Sequence, residues 1–290
     1  MTLLKRLALI AAPLMIATSA FAQPFTSNRI TVTVEGEGPD VVLIPGLSSS
    51  AEIWDGTVKA VPGYRYHRVQ VKGFAGAPAE ANGSGPVVAP VAEEIARYIE
   101  TEELKPALVG HSMGGTLAMM VAARHPQAAS KVMVVDMMPF MGAMFMPNAT
   151  PQTVAPVAAQ IRDGIANTPA ASRAAMAEQT LAGMIKTPSL RAGPVKHSLD
   201  SDPATSGQAM YDLITTDLRP ELKQITVPLR VLWVVPAGAP LTAQQLDGYY
   251  RLSYANAPNV TLKQIADSYH FIMFDQPEVF QAELKAFLKE

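Results

Sequence analysis

The sequence contains no cysteine among its 290 residues. That absence excludes a disulfide framework, a thiolate metal site and a cysteine nucleophile. An excess of positive charge is also missing, since the formal net charge is −2. The chain therefore lacks the basic character that binds polyanions, and we expect no nucleic-acid partner. Any chemistry must rest on serine, histidine and carboxylate side chains.

Long apolar runs are missing except at the start of the chain. Lys5 and Arg6 precede the apolar run LALIAAPLMIATSA, and Ala20–Ala22 has the small-x-small pattern that signal peptidase accepts. We therefore expect residues 1–22 to be a cleaved signal peptide and the mature protein to be periplasmic or secreted. A membrane anchor is the alternative, but the run is shorter than the roughly 20 residues that a spanning helix needs. No later stretch is expected to span a membrane.

Strand and helix patterns alternate along the rest of the chain. Short apolar or alternating runs predict strands, and apolar residues at helical spacing predict the helices between them. This alternation predicts an α/β fold with a mostly parallel central sheet flanked by helices. The predicted strands are two within 29–46 and one each at 66–71, 106–111, 131–136, 228–235 and 260–266, and the predicted helices cover 87–104, 114–125, 241–255 and 276–288.

One long segment, residues 139–222, interrupts that alternation. It has no strand pattern and contains three helical patterns, at 153–167, 170–186 and 205–218, separated by Pro, Gly, Ser and Asn. We expect this segment to be a helical cap inserted into a core formed by residues 23–138 and 223–290.

The stretch PALVGHSMGGTLAMM runs from an apolar strand into a helix of small residues. Its residues 110–114, Gly-His-Ser-Met-Gly, match the G-x-S-x-G pattern of a strand-to-helix turn that presents a serine. An earlier predicted strand ends in Pro45–Leu47. This combination resembles the α/β-hydrolase fold family, in its serine esterase and lipase-like branch, from about residue 29 to the end. The resemblance implies that Ser112 is a nucleophile.

The same resemblance implies an oxyanion hole. In that family the residue after the nucleophile donates one backbone N–H, and the loop after an early strand donates a second. These positions correspond to Met113 and Leu47. Ser48, Ser49 and Ser50 are expected to be polar loop residues that form local hydrogen bonds.

Five histidines are candidates for the general base. His270 lies in DSYHFIMFDQPEVF, after the last predicted strand, where the family places its catalytic histidine, and HFIMFDQPE resembles the usual continuation. The resemblance therefore implies that His270 takes the proton of Ser112 and returns it to the leaving group. The other four are expected to be structural or solvated: His67, His111, His125 and His197.

The acid does not occupy the family's usual position. The penultimate strand is followed by VVPAGAPLTAQQ, which has no Asp or Glu. Asp136 ends the strand that follows the helix after Ser112, and it preserves the chain order Ser, Asp, His. We therefore expect it to be the acid. Asp267, Asp247 and an acid-free dyad remain as alternatives.

The stretch MMPFMGAMFMP, residues 137–147, is rich in methionine. Flexible apolar side chains suit a hydrophobic acyl or alcohol group, although packing of the cap on the core explains them equally well. We expect substrate contacts from these residues and from two aromatic residues earlier in the chain. The expected contacts are Trp54, Met137, Met138, Phe140 and Met144, with Phe74 as a further candidate.

Together these features predict an exported serine hydrolase that cleaves small carboxylic esters through a Ser-His-Asp acyl-enzyme and prefers apolar acyl groups. Lactone opening, C–C bond hydrolysis and non-catalytic ligand binding remain open, because fold alone does not decide function. Dehalogenase and epoxide-hydrolase chemistry are disfavoured, because those branches carry an Asp nucleophile where this chain has Ser112. No motif indicates a metal or organic cofactor, since GHSMGG lacks the Lys-Ser/Thr ending of a phosphate-binding loop. The oligomeric state is not predicted.

Overall fold

The computed structural model of the protein describes residues 25–146, 148–236 and 238–290. The predicted signal peptide, residues 1–22, lies outside the described residues. Within the described ranges, none of the helices combines the length and the apolar character that a bilayer crossing requires.

Seven strands form one sheet in the order β1-β3-β2-β4-β5-β6-β7. Only the pairing of β1 with β3 is antiparallel, and the other described pairs are parallel. The predicted mostly parallel sheet is confirmed. The strands are β1 (Ile30–Glu35), β2 (Asp40–Ile44), β3 (Arg65–Val71), β4 (Ala107–His111), β5 (Lys131–Val135), β6 (Leu229–Trp233) and β7 (Val260–Gln264).

Ten α-helices lie in the described part of the chain, and most connect consecutive strands. Those predicted from periodicity begin and end within one or two residues of the structure's bounds in most cases, which is the usual uncertainty of helix ends. The helices are α1 (Asp55–Ala60), α2 (Val88–Thr101), α3 (Met113–Arg124), α4 (Pro151–Ala166), α5 (Ala170–Met184), α6 (Ala192–Asp200), α7 (Pro203–Thr215), α8 (Ala243–Ser253), α9 (Ile272–Asp275) and α10 (Pro277–Lys289).

Side chains on the two faces of the sheet enter two separate apolar cores. Successive residues of a strand point to opposite faces, so Val42 of β2 joins one core and Val41 joins the other. The helices α2 and α3 cover the first face, and α10 covers the second with Phe280, Leu284 and Phe287. Burial on both faces explains why β2, β4 and β5 are almost entirely apolar.

The segment between β5 and β6 contains four helices, α4 to α7, where the sequence predicted three. The additional helix, α6, contains Gly193 and Pro194, which disfavoured a helical interpretation. Pro194 is the third residue of α6, a position whose backbone N–H has no partner within the helix, so proline is tolerated there.

The helices α4 and α7 pack closely against each other around Val154, Ala158 and Ile214. A Cβ atom on Gly207 would lie 2.6 Å from the carbonyl oxygen of Arg162, so glycine is required at this crossing. This pair of helices is joined to the rest of the molecule by polar contacts described below.

Candidate active site

The turn between β4 and α3 presents Ser112 in a strained backbone conformation, with φ 53° and ψ −122°. The flanking glycines permit this turn. A Cβ atom on Gly110 would lie 2.0 Å from the carbonyl oxygen of Gly114, and one on Gly114 would lie 2.1 Å from the carbonyl oxygen of Ile44. The backbone N–H of Ser112 donates to the carbonyl oxygen of Val135 at 2.9 Å, which connects the turn to the end of β5.

Asp136 follows β5 directly and lies beside His270. Its Oδ2 atom is 2.6 Å from Nδ1 of His270. Since an ionised carboxylate can only accept a hydrogen bond, Nδ1 of His270 carries the hydrogen. In the neutral ring, Nε2 is then left as an acceptor. Asp136 is 8% exposed, so the pair is largely shielded from water.

Two further donors hold the second oxygen of Asp136. Its Oδ1 atom accepts from the backbone N–H of Val234 at 3.1 Å and from the hydroxyl of Tyr250 at 3.2 Å. Burial, together with the nearby negative charge of Asp136, raises the pKa of Tyr250 well above its usual value near 10. The phenol therefore stays protonated and can donate.

Sequence reasoning missed the role of Tyr250. The residue lies on α8, where its apolar neighbours and helical spacing indicate only core packing, and its ring does stack on Trp233 with centroids 5.0 Å apart. A contact between residues 114 positions apart in the chain has no local signature.

Ser112 and His270 line the same cavity. Among the hydrogen bonds of the described residues, none joins the Ser112 hydroxyl to the His270 ring. Catalytic hydrogen bonds are often long without substrate and shorten in the reacting complex, so this geometry is compatible with proton transfer between the two residues.

His111, which precedes Ser112, is fully buried and supports the loop of His270. Its Nε2 atom donates to the backbone carbonyl oxygen of His270 at 3.1 Å, and the two rings lie 4.6 Å apart. Burial, and secondarily the neighbouring His270, lowers the pKa of His111 well below its usual value near 6.5. His111 is therefore neutral and acts as a hydrogen-bond donor, not as a base.

The alternative acids lie away from His270. Asp267 has a side chain that is 81% exposed and pairs with Lys186 at 3.2 Å. Asp247 pairs with Arg251 at 2.6 Å on the surface of α8. Neither is placed to orient the imidazole.

The side chains of the remaining histidines contact residues other than Ser112 and Asp136. His67 contacts the hydroxyl of Tyr98 at 2.6 Å and Asp40 at 2.9 Å. The other two contact carboxylates: His125 lies 2.9 Å from Glu93, and His197 lies 3.3 Å from Glu52.

Leu47 and Met113 lie next to Ser112 on two sides. Met113 is the first residue of α3, where backbone N–H groups have no partner in their own helix. Leu47 follows Gly46, on which a Cβ atom would lie 3.1 Å from Cβ of Ser112. In the described part of the chain, neither N–H is paired with a backbone or side-chain acceptor.

A cavity of about 530 Å³ opens in front of these groups, between the sheet and helices α4 to α7. Its wall is mainly apolar and includes the predicted contacts Met137, Met138 and Met144. Four more methionines contribute to it, three of them from helices α5 and α7: Met141, Met176, Met184 and Met210.

Three aromatic residues that we expected in the cavity lie elsewhere. Trp54 is fully buried in the core, where its ring faces Phe280 at 6.1 Å between centroids. Phe140 packs against α4 and α7, and Phe74 is buried in the first core. The expected substrate contacts of these three residues were wrong because a sequence pattern indicates that an aromatic residue is buried, but not whether it packs in the core or in a cavity wall.

One side of the cavity is polar. The hydroxyl groups of Ser48 and Ser206 lie 2.8 Å apart, and they connect the loop after β2 to α7. Nearby, the hydroxyl of Ser201 accepts from the backbone N–H of Ala75 at 2.8 Å and donates to the carbonyl oxygen of His197 at 2.7 Å. These contacts were not predicted.

A metal centre is not assembled from the residues that the structure describes, since no three His, Asp or Glu side chains there form a cluster that could hold an ion. The polar side chains that line the cavity include Ser112, His270 and Asp136, together with His111, Tyr250 and Arg173.

Curated relatives of the chain include several proteins named pimeloyl-[acyl-carrier protein] methyl ester esterase. The protein from Vibrio atlanticus is 26% identical over 276 residues, which cover 91% of this chain and 100% of the relative. The protein from Aeromonas hydrophila is 33% identical over 132 residues, which cover 43% of this chain and 50% of the relative.

Solved structures with the same fold include an esterase from Exiguobacterium antarcticum, with a TM-score of 0.73 and 20% identity. An enol-lactonase from Burkholderia xenovorans LB400 has a TM-score of 0.71 and 19% identity. Each match covers 90% of this chain and 96% of the other. At such low identity these matches show the fold alone.

A family model described as "Alpha/beta hydrolase family" matches residues 41–283. This range includes the serine turn, the helical segment between β5 and β6, and the loop of His270. The chain belongs to the alpha/beta hydrolase family.

Proposed function

We propose that the protein is a serine esterase that cleaves carboxylic esters through an acyl-enzyme. Ser112 is the nucleophile, His270 the general base and acid, and Asp136 the carboxylate that orients His270. The observation that carries this proposal is the 2.6 Å contact between Asp136 and Nδ1 of His270, beside a strained serine that opens onto an apolar cavity.

In the acylation half of the reaction, the Ser112 hydroxyl attacks the ester carbonyl and Nε2 of His270 takes its proton. Negative charge then develops on the carbonyl oxygen, where the N–H groups of Leu47 and Met113 donate to it. Collapse of this intermediate breaks the ester bond, and His270 returns the proton to the departing alcohol. Asp136 keeps Nδ1 protonated and stabilises the imidazolium.

In the second half, water attacks the acyl-enzyme while His270 again accepts a proton. The ester bond to Ser112 breaks, its oxygen regains the proton, and the carboxylic acid leaves. The products are one alcohol and one carboxylic acid, so the reaction needs no cofactor in this scheme.

The name of the relatives supports ester hydrolysis, and the Vibrio atlanticus protein aligns with this chain over its whole length. The acyl preference rests on the cavity itself. Seven methionines in the wall of the cavity favour an apolar acyl chain of short to medium length, because a charged group that lies directly against a methionine side chain loses its hydration without gaining a partner there. Export, as expected from residues 1–22, completes the proposal of a periplasmic or secreted esterase.

The direct test uses Ser112→Ala and His270→Ala with p-nitrophenyl butyrate as the substrate. Each substitution is expected to lower kcat/KM by about 10³-fold or more while circular dichroism stays unchanged, because the two residues act as a unit. The double variant should lose little more than either single variant. Activity retained by a folded Ser112→Ala protein would end the proposal, and additive losses would show that the residues act independently.

A fluorophosphonate probe distinguishes an esterase from a non-catalytic binding protein, because it reacts with activated serines. We expect labelling of the wild type at Ser112 and none of the Ser112→Ala variant. A wild type that is folded and unlabelled would favour the binding protein.

A further inference from the structure

We propose that Arg173 forms an anion-binding subsite at the cap side of the cavity. The subsite takes a carboxylate at the far end of the acyl chain, so the preferred substrate is an ester with an apolar acyl chain that ends in a carboxylate. This inference rests on the proposed esterase function and specifies its substrate.

The charges around the cavity single out Arg173. Among the described residues that line the cavity, it is the one arginine, and lysine is absent. The carboxylate in the wall, Asp136, is engaged by His270. His111 is neutral, as described above. The cavity wall therefore has one permanent cation that no neighbouring acid in the wall neutralises.

The guanidinium of Arg173 is oriented but not saturated. Arg173 is half-buried in the first turn of α5, and its Nε atom donates to the carbonyl oxygen of Thr168 at 3.2 Å. In the described part of the chain its two Nη atoms have no hydrogen-bond partner, and no carboxylate lies within ion-pair distance. Two parallel N–H donors of a guanidinium fit the two oxygens of a carboxylate.

Other arginines of the helical segment are engaged differently. Arg162 pairs with Asp163 at 2.8 Å, and Arg219 pairs with Asp217 at 2.6 Å. Arg191 donates to the carbonyl oxygens of Ile185 and Lys186. None of these three lines the cavity. Arg173 does, and its two Nη atoms are still available to donate.

The cavity that Arg173 shares with Ser112 is mainly apolar. Ile165, Met144 and Met176 line the cavity with Arg173, whereas Ser112 and His270 lie at the sheet. An acyl chain that starts at Ser112 and extends to the cation would lie in this methionine-rich cavity. A charge placed midway would be desolvated without a partner, but a terminal carboxylate meets a partly buried guanidinium.

The test compares two series of p-nitrophenyl esters at pH 7. In one series the acyl chain ends in a methyl group, and in the other it ends in a carboxylate. The chain length increases through both series. The measured quantity is the ratio of two kcat/KM values at equal chain length: that of the ester whose acyl chain ends in a carboxylate, divided by that of the ester whose acyl chain ends in a methyl group.

For the wild type we expect this ratio to peak at one chain length, because a carboxylate reaches Arg173 only from a chain that spans the cavity. Arg173→Met should lower the peak ratio by about tenfold or more, chiefly through KM, since it removes charged hydrogen bonds and keeps the side chain's volume. Arg173→Lys should retain part of the preference. Arg173→Glu should lower the ratio further by repulsion.

Arg162→Met is the matched control, because Arg162 lies on α4 of the same segment but outside the cavity wall. This substitution is expected to leave the ratio unchanged. An equal ratio in wild type and Arg173→Met, or a wild type without any optimum in chain length, would overturn the subsite. Hydrolysis of the series whose acyl chains end in a methyl group separates the esterase proposal from the subsite proposal. If the wild type cleaves neither series, the esterase proposal fails; if it cleaves the methyl series but Arg173 has no effect, only the subsite fails.

Discussion

Asp136 illustrates how a single side chain acquires its surroundings from the ends of neighbouring strands. It follows β5, and the backbone N–H of Val234 that donates to its Oδ1 atom follows β6. The carboxyl ends of parallel strands lie at one edge of the sheet, so both groups converge there. Tyr250 supplies a third donor besides His270. The carboxylate is thus fixed from three sides.

Replacing this carboxylate by an amide tests its role. Asp136→Asn keeps the size of the side chain but loses the charge that stabilises the imidazolium. Its amide N–H group can also face Nδ1. The substitution is expected to lower kcat/KM by as much as ~10⁴-fold, because it favours the wrong tautomer of His270. The measurement is hydrolysis of p-nitrophenyl butyrate by a variant whose thermal unfolding is checked.

Asp267→Asn is the control, since Asp267 lies three residues before His270 but is exposed and pairs with Lys186. It should change the rate little. A large loss with Asp267→Asn, or near-normal activity with Asp136→Asn, would contradict the assignment of the acid.

Individual side chains also show where sequence reasoning reaches its limit. Ser112 and His270 stand in local patterns that have a structural cause, and Asp136 was selected because its strand ends near theirs; their catalytic roles remain predictions. Arg173 and Tyr250 had no such pattern, because their contacts cross between distant elements. Trp54 was misplaced because burial in the core and burial in a cavity wall favour the same residue type.

At the scale of elements, periodicity identified the sheet and most helices because each has one consistent apolar face or is apolar throughout. It missed three helices: α1, which has only six residues, α6, whose proline and glycine residues are typical of loops, and α9, which is a single turn. The order of the strands in the sheet is set by right-handed crossovers and packing, not by local patterns.

The end of α5 is connected to the loop of His270 through one carboxylate. Asp275, at the end of α9, accepts from the backbone N–H groups of Lys186 and Thr187, both at 2.9 Å, and from that of Tyr269 at 3.0 Å. Nearby, the backbone N–H of Phe271 donates to the carbonyl oxygen of Met184 at 3.1 Å. The loop of His270 and the cap are therefore joined by the carboxylate of Asp275 and by a backbone hydrogen bond.

Removing this carboxylate should destabilise the protein. Asp275→Ala leaves three backbone donors without their acceptor, and we expect the free energy of unfolding to fall by about 1–3 kcal/mol. Urea denaturation measures the change. Asp247→Ala removes an exposed carboxylate that pairs only with Arg251 at the surface, and its effect should stay below about 0.5 kcal/mol. Equal effects of the two substitutions would show that the contacts of Asp275 add nothing specific.

At the scale of the whole molecule, the cap and the core are held together at several separate points. Asp212 of α7 accepts from the backbone N–H groups of Val87 and Val88 at 2.6 and 3.0 Å, so it caps the start of α2 from another element. Ser48 and Ser206 make a second connection beside the cavity. Because the wall of the cavity is built from both parts, these contacts determine its shape.

The buried His111 makes the stability of the whole molecule depend on pH. Its pKa in the folded protein lies well below the value near 6.5 of an exposed histidine, chiefly because of burial. Below pH 6.5 the unfolded chain therefore binds a proton at this residue that the folded protein does not bind. The contribution of His111 to the free energy of unfolding therefore falls as the pH decreases, by up to about 1.4 kcal/mol per pH unit for one proton.

His111→Gln isolates this contribution, because glutamine is uncharged and retains an N–H donor for the carbonyl oxygen of His270. We expect the wild type to lose stability relative to the variant as the pH falls from 7 to 5, and the difference to be constant above pH 7.5. The measurement is urea denaturation of both proteins across this range. His125→Gln, at an exposed histidine that contacts Glu93, should not reproduce the trend. Parallel pH profiles of the wild type and His111→Gln would contradict the prediction and would mean that the buried imidazole is protonated at the same pH in both states.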